Sequence, residues 1–310
     1  MRQSHARGIF NGNVLVARKG TIVYEQAIGY ADAALQTPLT LQHRFNIGSI
    51  TKEFSAVSIM MLAEQGRLAI DDAVSKYLPE LPPWAARVSI RQLLDYTSGI
   101  PEINWNTIKN DRDVYADLLK ITTLESDPGT TFSYTNNNVS LRQFIVERLT
   151  GAPFNTFVER RIFPPCGMTS STLNPASDAP FIAKSFNNGF GQDPTDVPIT
   201  GVVYVTARDL YNWTQCLHAG TIISQRSIAT LGHSFNPRNG GLGETVWNGD
   251  TLTFREHDGQ SRNFEALMTI DLEKGVTVIL VDNNKNLKLG VISKAIRAIL
   301  RDETYAAPWG

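Results

Sequence analysis

Ser49 and Lys52 lie three positions apart, and their types and spacing suggest nucleophilic catalysis. A serine hydroxyl is a weak nucleophile at neutral pH, so it needs a neighbouring group that takes its proton. At the start of a helix, side chains three positions apart share a face, which would place the Lys52 amine beside the Ser49 hydroxyl. A helix N-terminus also favours developing negative charge and disfavours a nearby cation. The pair therefore predicts a serine nucleophile with a lysine base.

The lysine can act as a base only if it loses its proton near neutral pH. Its pKa would have to fall by roughly 3 units, or about 4 kcal/mol, which burial combined with a like charge can achieve. The alternative is that Ser49 only caps the helix while Lys52 is a solvated surface residue. The pair alone does not decide between the two.

Tyr134 and Asn136 lie on a predicted turn that follows the loop Asp127-Pro128-Gly129 and precedes a helix. A phenol can move a proton, and an amide can hold a lysine or a substrate amide in place. The alternative is a polar turn in which Asn136 only begins the next helix.

His257, Gly259 and Gln260 lie at the end of one predicted strand and before another. Gly259 would let a substrate backbone approach the sheet edge. His-x-Gly is a weak signal, since it occurs again at residues 218–220, where it is typical of the end of a helix.

The elements that would carry these residues begin with sheet. Apolar, β-branched runs at residues 13–18 and 21–28 predict a hairpin around Lys19-Gly20. Residues 49–65 predict a buried helix that Gly66 ends. From about residue 68 to residue 200, short helical segments alternate with Pro-rich loops and contain little convincing strand.

The sheet resumes towards the end of the chain, after a capping box at residues 206–209 that predicts a helix to about Ala219. An amphipathic helix over residues 287–300 closes the chain. The strand-like runs between these helices cover residues 251–256, 264–270 and 276–281.

This order of elements predicts an α+β fold, in which an antiparallel sheet flanked by helices is interrupted by a mostly helical subdomain. We expect residues 1–66 and 201–310 to form the sheet subdomain and residues 67–200 the helical one. The active site would lie in the cleft between them.

Composition narrows the possible partners. The 29 Lys and Arg residues nearly balance the 30 Asp and Glu residues, so a small molecule or peptide is favoured over nucleic acid or an anionic membrane. The sequence has no Gly-rich phosphate loop and no basic patch with aromatic residues. The five histidines lack metal-ligand spacing, and we predict neither a metal nor a cofactor.

Cys166 and Cys216 are too few for a disulfide framework, and we interpret both as free thiols packed in the core. No apolar run is long enough to span a membrane, and the first residues lack the apolar region of a signal peptide. Localisation therefore stays open: periplasmic or secreted if an export signal has been removed, otherwise cytoplasmic. The oligomeric state is not predicted.

The motifs Ser-x-x-Lys, Tyr-x-Asn and His-x-Gly, in this order, resemble the active-site elements of the serine β-lactamase and penicillin-binding-protein superfamily. The resemblance covers nearly the whole chain. It is closest to the branch of class C β-lactamases, D-alanyl-D-alanine carboxypeptidases, D-aminopeptidases and family VIII esterases. The segments that carry it include residues 45–52, 89–101, 128–136 and 162–168.

The resemblance implies a role for each matching residue. Ser49 would be acylated, and Lys52 and Tyr134 would share the acid and base work. Asn136 would orient Lys52 and the substrate. The side chain at position 257 would donate to a substrate carboxylate or assist Tyr134. The backbone N–H groups of Ser49 and Gln260 would form an oxyanion hole, each worth roughly 3 kcal/mol in the transition state.

Four features depart from the family pattern. Tyr96 stands where relatives commonly have His before Thr-Ser-Gly, and we take it as a packing variation without a role. Asn263 stands where relatives often have Gly, and the N-terminal helix is shortened to about ten residues. The histidine in place of the more usual lysine at position 257 weakens the case for a dedicated β-lactamase.

The predicted function is a serine hydrolase that forms an acyl-enzyme with an ester, a D-amino-acid amide or peptide, or a β-lactam. An esterase or D-Ala-type peptidase with weak β-lactamase activity is favoured, because pocket shape decides among substrates that share one chemistry. The alternative is a sensor module that binds penicillin without turnover or with slow turnover.

Overall fold

A computed structural model describes residues 1–195, 197–236 and 238–308. The strands in this part of the chain are, in order, β1 (Gly12–Arg18), β2 (Thr21–Ile28), β3 (Phe45–Asn46), β4 (Thr172–Leu173), β5 (Val203–Val205), β6 (Glu244–Asn248), β7 (Thr251–Ser261), β8 (Phe264–Asp271) and β9 (Val276–Asp282). The helices are α1 (Arg2–Ala6), α2 (Lys52–Glu64), α3 (Ile90–Leu94), α4 (Asp111–Leu118), α5 (Asn136–Thr150), α6 (Phe154–Arg161), α7 (Ala207–His218), α8 (Gln225–Gly232) and α9 (Leu289–Ile299).

The main sheet has six antiparallel strands in the order β2-β1-β9-β8-β7-β6. Leu15 on β1 lies opposite Glu25 on β2 and Ile279 on β9, so the first hairpin pairs directly with the end of the chain. The prediction that both ends of the sequence build one antiparallel sheet is confirmed.

Helices cover both faces of this sheet. Because side chains alternate along a strand, Val14 and Val16 pack against α9, whereas Leu15 belongs to the larger core around α2 and α7. Strand β9 is buried along its whole length, as expected for a central strand covered on both sides. The N-terminal helix is shorter than expected, since α1 spans five residues.

Helix α2 lies in this larger core and carries the catalytic candidates at its start. A 3-10 turn, Gly48–Thr51, precedes it, and residues 53–62 are buried. The predicted buried helix at 49–65 is therefore confirmed, with its first turn tighter than α-helical.

Residues 67–200 form short helices separated by loops, as predicted, and Thr172–Leu173 is the only named strand in the described part of that segment. This strand pairs with β5, which also pairs with β3, so a small sheet connects the helical segment to the residues before α2. Leu141 of α5 and Ile279 of β9 belong to one continuous core. The division into two subdomains stays a prediction.

The two cysteines form a disulfide, so the interpretation of both as free thiols was wrong. Cys166 follows α6 and Cys216 lies on α7, with 5.1 Å between their Cα atoms. Both are buried, as expected, but the folded chain brings side chains 50 positions apart into contact. A sequence with only two cysteines gives no sign of this contact.

Three other features differ from or add to the predicted elements. Strand β7 continues to Ser261, so His257, Gly259 and Gln260 lie within a strand and pair with β8. Strand β6 and helix α8 were not predicted. The second His-x-Gly is the end of a helix, as predicted, since α7 ends at His218. None of the described helices is both long and apolar enough to cross a membrane.

Candidate active site

The side chains of Ser49 and Lys52 meet at the N-terminus of α2. Lys52 Nζ donates a hydrogen bond to Ser49 Oγ at 3.0 Å and lies 5.0 Å from the centre of the Tyr134 ring. Ser49 is the N-cap neither of the 3-10 turn nor of α2; these positions are Ile47 and Thr51. The alternative in which Ser49 only caps the helix is therefore not supported.

Tyr134 reaches the same hydroxyl from the loop before α5. Its phenol interacts with the side chains of Ser49 and Tyr96, and the rings of Tyr134 and Tyr96 lie 4.7 Å apart. Burial raises the pKa of Tyr134, whereas the interaction with Ser49 and the nearby Arg142 oppose that rise. Tyr134 thus lies where it can exchange a proton with Ser49.

The surroundings of Lys52 favour the neutral amine. Burial lowers the pKa of Lys52, Tyr96 acts in the opposite direction, and the positive charge of Arg142 lowers the pKa further. Glu102 also acts against the decrease, but the net shift is downward. A lysine with a lowered pKa can act as a base nearer to neutral pH.

Strand β7 passes very close to the turn that holds Ser49. A Cβ atom on Gly259 would lie 2.0 Å from the Ile47 carbonyl oxygen and 2.8 Å from the Ser49 nitrogen. Gly48, at φ +52°, would place a Cβ 2.3 Å from the Gln260 nitrogen. Only glycine fits at either position, and the backbone amides of Ser49 and Gln260 become neighbours. That these amides form an oxyanion hole stays a prediction.

Asn136 begins α5 and binds Glu102. Its backbone and side-chain nitrogens donate to the Glu102 carboxylate at 2.7 and 3.0 Å. Among the described residues no hydrogen bond joins Asn136 to Lys52, so the predicted direct orientation of Lys52 is not observed. Asn136 does line the cavity at Ser49, and its contact with substrate stays a prediction.

His257 is buried and bonded to Glu53, the residue after Lys52. Its Nδ1 lies 2.6 Å from Glu53 Oε1, which also accepts a hydrogen bond from the fully buried Arg255. Trp213 Nε1 donates to Glu53 Oε2 at 2.7 Å. Through Glu53, these bonds connect α2 to β7 and to α7. A role for His257 towards substrate stays a prediction.

The cavity over Ser49 has a volume of about 440 Å³, within the usual range for small-molecule sites. Among the described residues that line it, Lys52 is the single charged side chain. Its apolar wall consists of Trp105, Val139, Val197, Ile199 and Val202. Asp258, on the exposed face of β7, acts electrostatically on Tyr134, and Glu102 acts on Lys52. Two carboxylates therefore act on the catalytic candidates from outside the cavity lining.

Sequence reasoning missed Glu53, Glu102 and Arg142, and it gave Tyr96 no role. Arg142 left one signal, since it is the single charged residue of the stretch 136–146. Glu102 left none, because it meets Asn136 only through the folding of two distant loops.

The whole chain is similar to proteins of one family. Residues 1–299 match the family model described as Beta-lactamase. A Bacillus subtilis protein named as the penicillin-binding protein PbpX is 28% identical over 308 residues, which cover 95% of this chain and 76% of that protein.

Solved structures share the fold. A penicillin-binding protein from Bacillus halodurans superposes with a TM-score of 0.83 and 21% identity, over 96% of this chain and 98% of that one. The D-amino acid amidase of Ochrobactrum anthropi superposes with a TM-score of 0.76 and 23% identity, over 91% and 88%. At these identities the likeness concerns the fold.

Proposed function

Because the chain belongs to the β-lactamase family, we propose that it is a serine hydrolase that works through an acyl-enzyme on Ser49. The observation that carries the proposal is the 3.0 Å hydrogen bond between Lys52 Nζ and Ser49 Oγ, with the Tyr134 side chain beside both. A nucleophile within hydrogen-bond reach of its base is the arrangement that acyl transfer needs.

In the proposed reaction, Ser49 Oγ attacks the substrate carbonyl carbon while its proton passes to the Lys52–Tyr134 pair. The carbonyl oxygen gains negative charge and is stabilised by the backbone N–H groups of Ser49 and Gln260. The leaving group takes the proton as its bond to the carbonyl carbon breaks, which leaves the acyl group on Ser49. Water, deprotonated by the same pair, then attacks the ester and frees Ser49.

The surroundings of the cavity support a neutral or amine-bearing substrate. Glu102 and Asp258 would repel a carboxylate, and among the described residues the cavity lining contains no arginine and no lysine other than Lys52. Penicillins, cephalosporins and peptides ending in D-Ala carry such a carboxylate. We therefore propose a short-chain ester or a D-amino-acid amide as substrate, with weak β-lactamase activity.

Asn136 and His257 have different places in this proposal. Asn136 lines the cavity and would contact the acyl side of the substrate. His257 has its Nδ1 occupied by Glu53, so its contribution would be to hold β7, and with it Gly259 and Gln260, against the turn of Ser49.

A sensor that is acylated without rapid turnover is the second candidate, because relatives of this chain are named as penicillin-binding proteins. The two candidates differ in deacylation. A sensor would keep a labelled penicillin on Ser49 in one-to-one stoichiometry, whereas the hydrolase would release p-nitrophenol continuously from p-nitrophenyl acetate.

The decisive experiment measures hydrolysis of p-nitrophenyl acetate and butyrate, D-alanine and D-phenylalanine amides and nitrocefin by wild type, Ser49→Ala and Ser58→Ala. Ser58 is a buried serine on the same helix whose hydroxyl donates to the Phe54 carbonyl. We expect an ester or amide to be the best substrate, Ser49→Ala to lose at least 10³-fold and Ser58→Ala to stay near wild type. Full activity in Ser49→Ala would contradict the proposal.

A further inference from the structure

Arg142 is a fully buried cation without a counter-ion among the described residues. It lies on α5, 0% exposed, and its Nη2 donates a 3.1 Å hydrogen bond to the Tyr96 hydroxyl. Its guanidinium carbon lies 5.2 Å from the centre of the Tyr96 ring. Nε and Nη1 have no hydrogen-bond partner, and no carboxylate lies within ion-pair distance, in the part of the chain that the structure describes.

Such an arrangement costs stability. A buried charge without a counter-ion loses its hydration and gains little in return, and an apolar side chain of similar volume would stabilise the fold. A residue that served only the fold would therefore not need this charge. The neighbours of Arg142 indicate what the charge can act on.

Tyr96 connects Arg142 to the catalytic candidates. It is buried, its backbone is left-handed at φ +57°, and its ring lies 4.7 Å from the ring of Tyr134. The two phenols interact with each other, and Tyr134 interacts in turn with Ser49. Arg142, Tyr96, Tyr134 and Ser49 thus form one continuous set of contacts.

We propose that Arg142 and Tyr96 are positioning residues for the acyl transfer: the buried guanidinium holds Tyr134 against Ser49 through Tyr96 and keeps the Lys52–Tyr134 pair ready to accept the proton of Ser49. The proposal rests on the proposed function, since it concerns the same nucleophile.

The charged and titratable groups around the pair act in different directions. Lys52 faces Tyr96, Arg142 and Glu102, and Tyr134 faces Ser49, Tyr96, Arg142 and Asp258. Arg142 lowers the pKa of both Lys52 and Tyr134, whereas Glu102 raises that of Lys52 and Asp258 that of Tyr134. Glu102 and Asp258 are exposed and screened by solvent, but Arg142 is not. Arg142 is therefore the charged neighbour that favours proton acceptance by both residues near neutral pH.

The test compares Arg142→Met, Arg142→Lys and Tyr96→Phe with wild type and Ser49→Ala. The measured quantity is the second-order rate of Ser49 labelling by a fluorophosphonate between pH 5 and pH 10. In this reaction Ser49 Oγ bonds to phosphorus and fluoride leaves. The rate therefore measures how readily the Lys52–Tyr134 pair accepts the proton of Ser49, and the substrate of the protein need not be known. Melting temperatures are measured on the same samples.

In a plot of labelling rate against pH, the acid limb is the range in which the rate falls as the pH is lowered. We expect Arg142→Met to move this acid limb to higher pH by about one unit, because removal of the cation raises the pKa of the group that accepts the proton. Labelling would fall about tenfold at pH 7 and recover at high pH, while the melting temperature stays at or above that of wild type. Arg142→Lys should keep the acid limb of wild type. Tyr96→Phe, which keeps the cation but loses the phenol bond, should reduce labelling at every pH.

An unchanged acid limb in Arg142→Met would overturn the inference, whether its labelling rate is normal or uniformly reduced. A lower melting temperature with an unchanged limb would assign Arg142 to the fold alone. Labelling of Ser49→Ala at the wild-type rate would instead overturn the proposed function, so the two failures are distinguishable.

Discussion

Glu53 Oε1 lies 2.6 Å from His257 Nδ1, which joins the helix that begins with Lys52 to the strand that carries Gly259 and Gln260. Lys52 and Glu53 are consecutive, yet their side chains serve different contacts: Lys52 bonds Ser49, whereas Glu53 bonds Arg255, His257 and Trp213 beneath the site. The helix and the strand are thus held together by the buried side chain of Glu53, next to Lys52 in the sequence.

Replacement of Glu53 by Ala should destabilise the fold by roughly 3–5 kcal/mol, because it leaves the buried Arg255 without its counter-ion. Urea denaturation measures this loss. Glu64→Ala, at the exposed end of the same helix, should cost about 1 kcal/mol. Equal losses in the two variants would contradict the structural role of Glu53.

The same contacts predict a pH dependence. Burial would raise the pKa of Glu53, but Arg255 and His257 outweigh it and lower the pKa to about 2. A carboxyl with a lowered pKa stabilises the fold above its unfolded pKa and ceases to do so as the pH falls through the folded value. Wild type should therefore lose about 3 kcal/mol between pH 5 and pH 2 through this group, and the loss should be smaller in Glu53→Gln.

A methyl group on Gly259 should disrupt the approach of β7 to Ser49. The Cβ of Gly259→Ala would meet the Ile47 carbonyl oxygen at 2.0 Å, so the strand must move away from the Ser49 amide. We expect a loss of about 10²-fold or more in kcat, the usual effect of removing one oxyanion donor. Gly290→Ala on α9, where a Cβ meets nothing within 4 Å, is the matched control. Similar activity in both variants would argue against the oxyanion hole.

The Cys166–Cys216 disulfide should stabilise the chain by about 4 kcal/mol, the value expected for a loop of 50 residues. Calorimetry with and without reductant measures it. The double variant Cys166→Ser/Cys216→Ser should melt near the temperature of the reduced wild type and show no response to reductant. A wild type that is insensitive to reductant, with both thiols titrating as free, would contradict the disulfide.

The local part of the site could be predicted from the sequence, and the part that depends on tertiary contact could not. The spacing of Ser49 and Lys52 places both side chains on one face of a helical turn, whatever the rest of the fold. The strands at 13–18 and 276–281 could be predicted because their apolar runs have the length and composition of buried strands.

Contacts between distant segments had no local signal. Glu102 reaches Asn136 across two loops, and Cys216 reaches Cys166 across 50 positions. Arg142 contacts Tyr96 because α5 and the loop that holds Tyr96 meet in the folded chain. Neither residue alone indicates this contact. The strand-like run in the sequence ends at residue 256, whereas pairing with β8 continues through His257 to Ser261.

The carboxylates near the catalytic candidates also affect the last step of the proposed reaction. In the proposed reaction, water converts the acyl group on Ser49 into a free carboxylic acid, which ionises at neutral pH. The new carboxylate would form near Glu102 and Asp258, which would repel it, so the charges proposed to disfavour acidic substrates would also favour its release. Inhibition by the acid product should therefore be weakest at low ionic strength, where this repulsion is least screened.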